Sequence, residues 1–163
     1  MSWSFFTLPA PVSAGTPAIT YSVGGQTVAT NSVAYAYDHD FRGSLWSVNN
    51  TTSTTAYTHD GFGRITGSAQ TTPANATSSF NFTYCYSLTD ALTSITYPSG
   101  RQVNYALGAG DLVTAVQYVA SASGGCAAAT GGTNYASSIG YTAAGGLSSM
   151  TLGNSNTLAQ SYT

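Results

Sequence analysis

Of the chain's 163 residues, 5 are acidic and 3 basic, giving a formal net charge of −2 and a charged fraction of 5%, against roughly 25% in a typical soluble domain. The acids are all Asp, the bases are all Arg, and Glu and Lys do not occur. Helix surfaces are built largely from Glu, Lys, Arg and Gln, so a helical bundle or coiled coil is excluded, and three Arg make neither a nucleic-acid stripe nor a polybasic membrane patch. Twelve Tyr and six Phe set among many Thr, Ser, Val and Gly favour β structure, and 42% apolar residues separate the chain from charge-extended disordered segments.

Residues 1–18 read as an irregular N-terminal segment. Its opening patch, Trp3-Ser-Phe-Phe, lacks a basic flank and is interrupted by Pro9 and Pro11, which makes a poor signal peptide. No stretch reaches the roughly 18 apolar residues of a membrane-spanning helix. From residue 19 onward the sequence repeats itself, and a recurring period is the signature of stacked supersecondary units. Tyr35-Ala-Tyr37-Asp38 is echoed by Tyr57-Thr-His59-Asp60-Gly-Phe-Gly63-Arg64-Ile65, whose pattern is aromatic, x, aromatic, Asp, two turn residues, Gly, Arg, aliphatic. Looser copies are Tyr84-Cys-Tyr86 with Leu92, Tyr105-Ala-Leu107 with Val113, and Ile139-Gly-Tyr141 with Leu147. In four copies the aliphatic falls eight positions after the first residue, while in the first copy Leu45 follows Tyr35 by ten.

Units therefore start near 35, 57, 84, 105 and 139, and Tyr162 reads as the start of a further unit in a longer array. Each unit predicts a β-hairpin. Aromatics two apart share one face of a strand, Gly-bearing segments such as 60–63 and 143–146 supply the turn, and a return strand follows. Tyr97-Pro-Ser-Gly100 predicts another turn, because Pro presets φ and Gly closes it. The stretches 70–79 and 120–132 read as exposed loops. The expected fold class is all-β: consecutive hairpins in a twisted, curved antiparallel sheet.

Few residues suggest chemistry. Asp38-His39-Asp40 with His59-Asp60 is the densest polar cluster, and imidazole plus carboxylate is a metal-ligating set. Yet Asp38 and Asp60 share one repeat slot while the two histidines do not, so the rings are expected to point differently. The carboxylates suit turns, His59 stands in a Tyr slot as a packed ring with one nitrogen satisfied, and Arg42 and Arg64 suit a turn carboxylate or an aromatic face. Cys85 and Cys126 are read as inert thiols, with pairing in an oxidising compartment as the alternative. No catalytic residue, metal ligand or cofactor is assigned, and the chain is read as no enzyme.

Tyr35-Ala-Tyr37-Asp38 and Tyr57-Thr-His-Asp60-Gly-Phe-Gly63-Arg64-Ile65, together with the hairpin-like Ile95-Thr-Tyr-Pro-Ser-Gly-Arg-Gln-Val-Asn-Tyr105, resemble the YD repeat of the Rhs family, which includes bacterial Rhs proteins, toxin-complex components and teneurins. The resemblance covers about residues 19–163. It implies repeat-motif structural roles for Tyr35, Tyr37, Asp38, Tyr57, Asp60, Gly63, Arg64, Ile65, Tyr84, Tyr86, Tyr105 and Tyr141. It further implies a secreted or cell-surface segment of a β shell that encapsulates or displays a C-terminal, toxin-like domain, its partners being the rest of its own polypeptide and that cargo. The alternative is an extracellular carbohydrate-binding or adhesion module facing glycans or a cell surface. Three units lack the Asp, and no Asp-Pro cleavage motif occurs.

Overall fold

The computed structural model describes residues 13–14, 18–23, 26–40, 42–72, 78–120, 126 and 132–162, and the chain divides into compact units 1–81 and 82–163. Both are all-β and antiparallel, as the alternating, Tyr- and Thr-rich segments predict.

The first unit holds β1 (Ser13–Ala14), β2 (Ala18–Val23), β3 (Gln26–Tyr37), β4 (Leu45–Asn50), β5 (Thr54–His59) and β6 (Ile65–Thr71). Its strand order is β1-β3-β4-β5-β6. The twelve-residue β3 is long enough to pair with β2 along its first half (Ala18↔Ser32 to Val23↔Gln26) and with β1 and β4 along its second. The segment expected to be irregular thus contains a strand, since Ser13 and Ala14 pair with Ala36 and Tyr35. Between β4 and β5, Asn50 Oδ1 accepts the N–H groups of Thr52 (2.8 Å) and Ser53 (2.7 Å), the side-chain turn that Asn favours.

The second unit runs β7 (Phe80–Tyr86), β8 (Leu92–Thr96), β9 (Gln102–Leu107), β10 (Val113–Val119), β11 (Thr133–Tyr141), β12 (Leu147–Leu152) and β13 (Thr157–Ala159), each beside the next. The one helical turn among the described residues is a 3₁₀ segment, Ala109–Asp111. Half of the expected loop 70–79 and most of the expected loop 120–132 lie outside the described residues, and Gln70 and Thr71 complete β6.

Strand alternation divides the second unit's side chains into two kinds. Ile95, Val103 and Tyr118 are register partners along one row, with Tyr84 opposite Ile95 and Tyr105 opposite Val116. That face is aromatic and aliphatic. The other face carries Cys85, Ser94, Asn104, Gln117 and Asn134, partners in successive strands, with Gln117 Nε2 donating to Asn134 Oδ1 at 2.7 Å. The residues best shielded from water include polar ones: Gln102, Ser94, Ser47 and Asn104 join Cys85 and Val103 below one-tenth exposure. Most rings are half-buried instead, and Phe62, Phe80, Tyr97, Tyr135 and Tyr162 are exposed, so among the described residues these sheets lack the fully buried aromatic layer of a two-layer domain.

The cysteines correct the sequence reading. Cys85 and Cys126 form a disulfide that joins positions 41 apart with Cα atoms at 5.3 Å, within the span a bridge requires. It fixes one point of the β10–β11 connection to β7 on the polar face.

Candidate functional site

The repeat motif converges on one local structure, the end of each hairpin. Tyr37, His59, Tyr86, Leu107 and Tyr141 are the last residues of β3, β5, β7, β9 and β11. They pair across the turn with Leu45, Ile65, Leu92, Val113 and Leu147, the motif's aliphatics. Each pairing is preceded by a register shift, and such bulges increase local twist. Tyr35, Tyr57, Tyr84 and Tyr105 sit two residues earlier in the same strands.

Four of the connecting loops, 60–64, 87–91, 108–112 and 142–146, have five residues. In each, the first N–H donates to the last carbonyl: Asp60 to Arg64 (3.0 Å), Ser87 to Ala91 (2.8 Å), Gly108 to Leu112 (2.8 Å) and Thr142 to Gly146 (2.8 Å). The fourth residue always has positive φ, being Gly63 (82°), Asp90 (68°), Asp111 (58°) and Gly145 (81°). A turn followed by one left-handed residue is how a short hairpin loop matches strand twist. The seven-residue loop 38–44 ends the same way, with Gly43 at 80° and Asp38 N–H donating to Ser44 O. At the opposite strand end, the predicted Tyr97–Gly100 turn repeats the geometry, with Gly100 at 80°.

The first loop position explains the Asp. Asp60 Oδ1 accepts the N–H groups of Phe62 (2.9 Å) and Arg64 (3.0 Å), while Oδ2 takes Arg64 Nε at 2.7 Å. Arg64 also lies 5.2 Å from the Phe62 ring centroid. Asp38 Oδ1 accepts Gly43 N–H in the first loop. Where Asp is missing, a hydroxyl takes over: Ser87 Oγ accepts from Thr89 (3.2 Å) and Ala91 (3.1 Å), and Thr142 Oγ1 from Gly146 (3.0 Å). Only Gly108 offers no acceptor, and there the chain forms the 3₁₀ turn.

Neighbouring hairpins are tied together at these ends. Tyr141 Oη donates to Val113 O (2.9 Å) and Tyr162 Oη to Leu147 O (2.9 Å). Each reaches back to the first return-strand residue of the hairpin before it. His59, lacking a phenol, uses Asp40 of the preceding turn: its N–H donates to Oδ2 at 2.5 Å and its Nδ1 lies 2.9 Å from Oδ1. Thr89 Oγ1 donates to Asp111 Oδ1 (2.8 Å) between the β7–β8 and β9–β10 loops.

The His/Asp cluster is therefore dispersed. His39 stacks on Trp46 at 4.4 Å, Asp38 and Asp60 hold their own turns, and His59 has a 3% exposed side chain engaged with Asp40. Among the described residues no three His, Cys, Asp or Glu side chains group as a metal site would require. Burial raises the Asp40 pKa, but hydrogen bonds from the His59 ring and N–H, with the ring's charge, more than offset this and leave it below the usual value. A depressed folded-state pKa gives stability that is complete above the unfolded value, about 4, and fades as pH falls through the lower folded value. Urea midpoints are expected to drop as pH falls from roughly 5 to 3, and by less in Asp40→Asn. An unchanged acid profile in that variant would show that the carboxylate does not couple to folding.

Neither a scan of protein-family models nor a search of curated proteins finds a match to the chain. Among the described residues, no helix is long and apolar enough to cross a membrane.

Proposed function

We propose that the chain is a non-catalytic structural segment of an Rhs-type, YD-repeat protein, part of a β shell that encloses or displays a C-terminal, toxin-like domain. The recurring hairpin end carries this reading: one loop geometry, one left-handed slot, and three side chains, His59, Tyr141 and Tyr162, that reach back to the hairpin before their own. A lone hairpin is marginal in water, and repeat units gain stability from their neighbours. Side-chain oxygens at the hairpin ends are spent on backbone amides and adjacent turns rather than gathered around a substrate. The disulfide supports a secreted or cell-surface location, since such bonds persist in oxidising compartments.

The test uses the protein from the full reading frame that encodes the chain. Under limited proteolysis the domain following the repeats is expected to resist cleavage until the repeat region is opened. Digestion of that domain at its free rate, together with a monomeric, cooperatively folding isolated chain, would overturn the shell.

A second reading, a carbohydrate-binding surface, is favoured by one observation. Tyr97 and Tyr135 keep 36% and 43% of their surface in water beside the Arg101 guanidinium on the aromatic face of the second unit.

A further inference from the structure

Arg101 is the one basic residue of the second unit. It follows the Tyr97–Gly100 turn, at the opposite end of the strands from the loops that hold Asp90 and Asp111, the unit's two acids. Among the described residues the ion pairs are His59–Asp40 and Arg64–Asp60, so Arg101 faces no carboxylate. Its surroundings are phenols instead. Arg101 Nη1 lies 3.4 Å from Tyr135 Oη, and its guanidinium carbon lies 5.7 Å from the Tyr118 ring centroid. Tyr118 and Tyr135 stack at 4.6 Å, while Phe82 and Tyr97 meet edge to face with centroids 5.7 Å apart. Tyr118 and Tyr135 thus brace the guanidinium, and Phe82 braces Tyr97. Tyr97, Ser99, Arg101, Val103 and Tyr135 line a concavity of about 390 Å³.

These groups select a ligand class. A guanidinium presents a planar fork that matches a carboxylate with two parallel hydrogen bonds. Exposed aromatic faces take up the C–H face of a ring, and the Tyr97, Tyr135 and Ser99 hydroxyls offer polar contacts around it. An aromatic acid would leave those hydroxyls unmatched, and an acidic peptide would present more charges than the single cation here. We propose that the Arg101 concavity binds an acidic sugar, a pyranose carrying one carboxylate, with the acid on Arg101 and the ring against Tyr97 and Tyr135. The proposal rests on the carbohydrate-binding reading and narrows it to one sugar class.

The test is calorimetric titration of the oxidised full chain with oligogalacturonate, its neutral methyl ester and an oligo-Glu peptide. Saturable binding of the acid is expected, with the ester and the Arg101→Gln variant each weaker by about tenfold or more, the loss expected for a charge-assisted hydrogen bond. Equal binding of acid and ester would overturn the role of Arg101 while leaving the carbohydrate reading in place. No binding of either sugar would remove both. Preferential binding of the peptide, or full affinity in a folded Arg101→Gln chain, would also overturn the proposal. The ester comparison uses the unmutated protein, so the result does not depend on how the variant folds.

Discussion

Reducing the Cys85–Cys126 bridge, or replacing both residues with Ala, is expected to lower the unfolding free energy by about 4 kcal/mol, which would be a large share of the stability of a domain this size. The bridge closes a segment whose ends are 41 positions apart, and the entropy withheld from the unfolded chain grows with the logarithm of that length. Either single Ala variant is expected to lose about as much as the pair, because both break the same bond. Guanidinium unfolding with and without dithiothreitol measures the difference. Equal midpoints would mean that the tether adds nothing to the folded state.

The second large effect is expected where hairpin loops enter left-handed conformation. Gly145→Ala should cost about 1–2 kcal/mol, the penalty a Cβ brings at positive φ. A Cβ there meets nothing within 4 Å, so the loss would be one of backbone conformation rather than packing. The reverse exchange checks the same slot. Ser155, the fourth residue of the equivalent Leu152–Asn156 turn at φ 67°, should gain up to about 1 kcal/mol on replacement by Gly, as the folded strain disappears and the extra unfolded freedom takes back part of the gain. A neutral Gly145→Ala together with a destabilising Ser155→Gly would show that the slot is not under conformational control.

Strand ends and partners were legible because Tyr, Gly and aliphatic residues recur at fixed offsets: Tyr37, His59, Tyr86, Leu107 and Tyr141 all terminate outgoing strands. The stray His59 was readable as a packed ring, though not its bond to Asp40, since that partner lies in the preceding turn. The apparent decay of the motif misled. Ser87 and Thr142 replace Asp without loss of the acceptor, and Asp90 and Asp111 replace Gly without loss of the positive φ, because short polar residues tolerate that region better than others do. An oxygen at loop position one and a Gly or Asp at position four would have been the better template. The disulfide was hidden for a different reason: it depends on β7 and the far end of β10 being brought to one face, and two cysteines carry no spacing signature.

The bonds at the aromatic slot share a direction. Tyr141, Tyr162 and His59 each act from the later hairpin on an oxygen of the earlier one. On a ribosome the earlier segment emerges first, with its acceptor already laid out, and waits for the donor that leaves the exit tunnel some twenty residues afterwards, within a few seconds at ordinary elongation rates. The Thr89–Asp111 tie runs the other way, from the earlier loop to the later, but every such tie can close once the later hairpin has emerged, so a nascent chain can zip up behind its own synthesis without the unmade remainder.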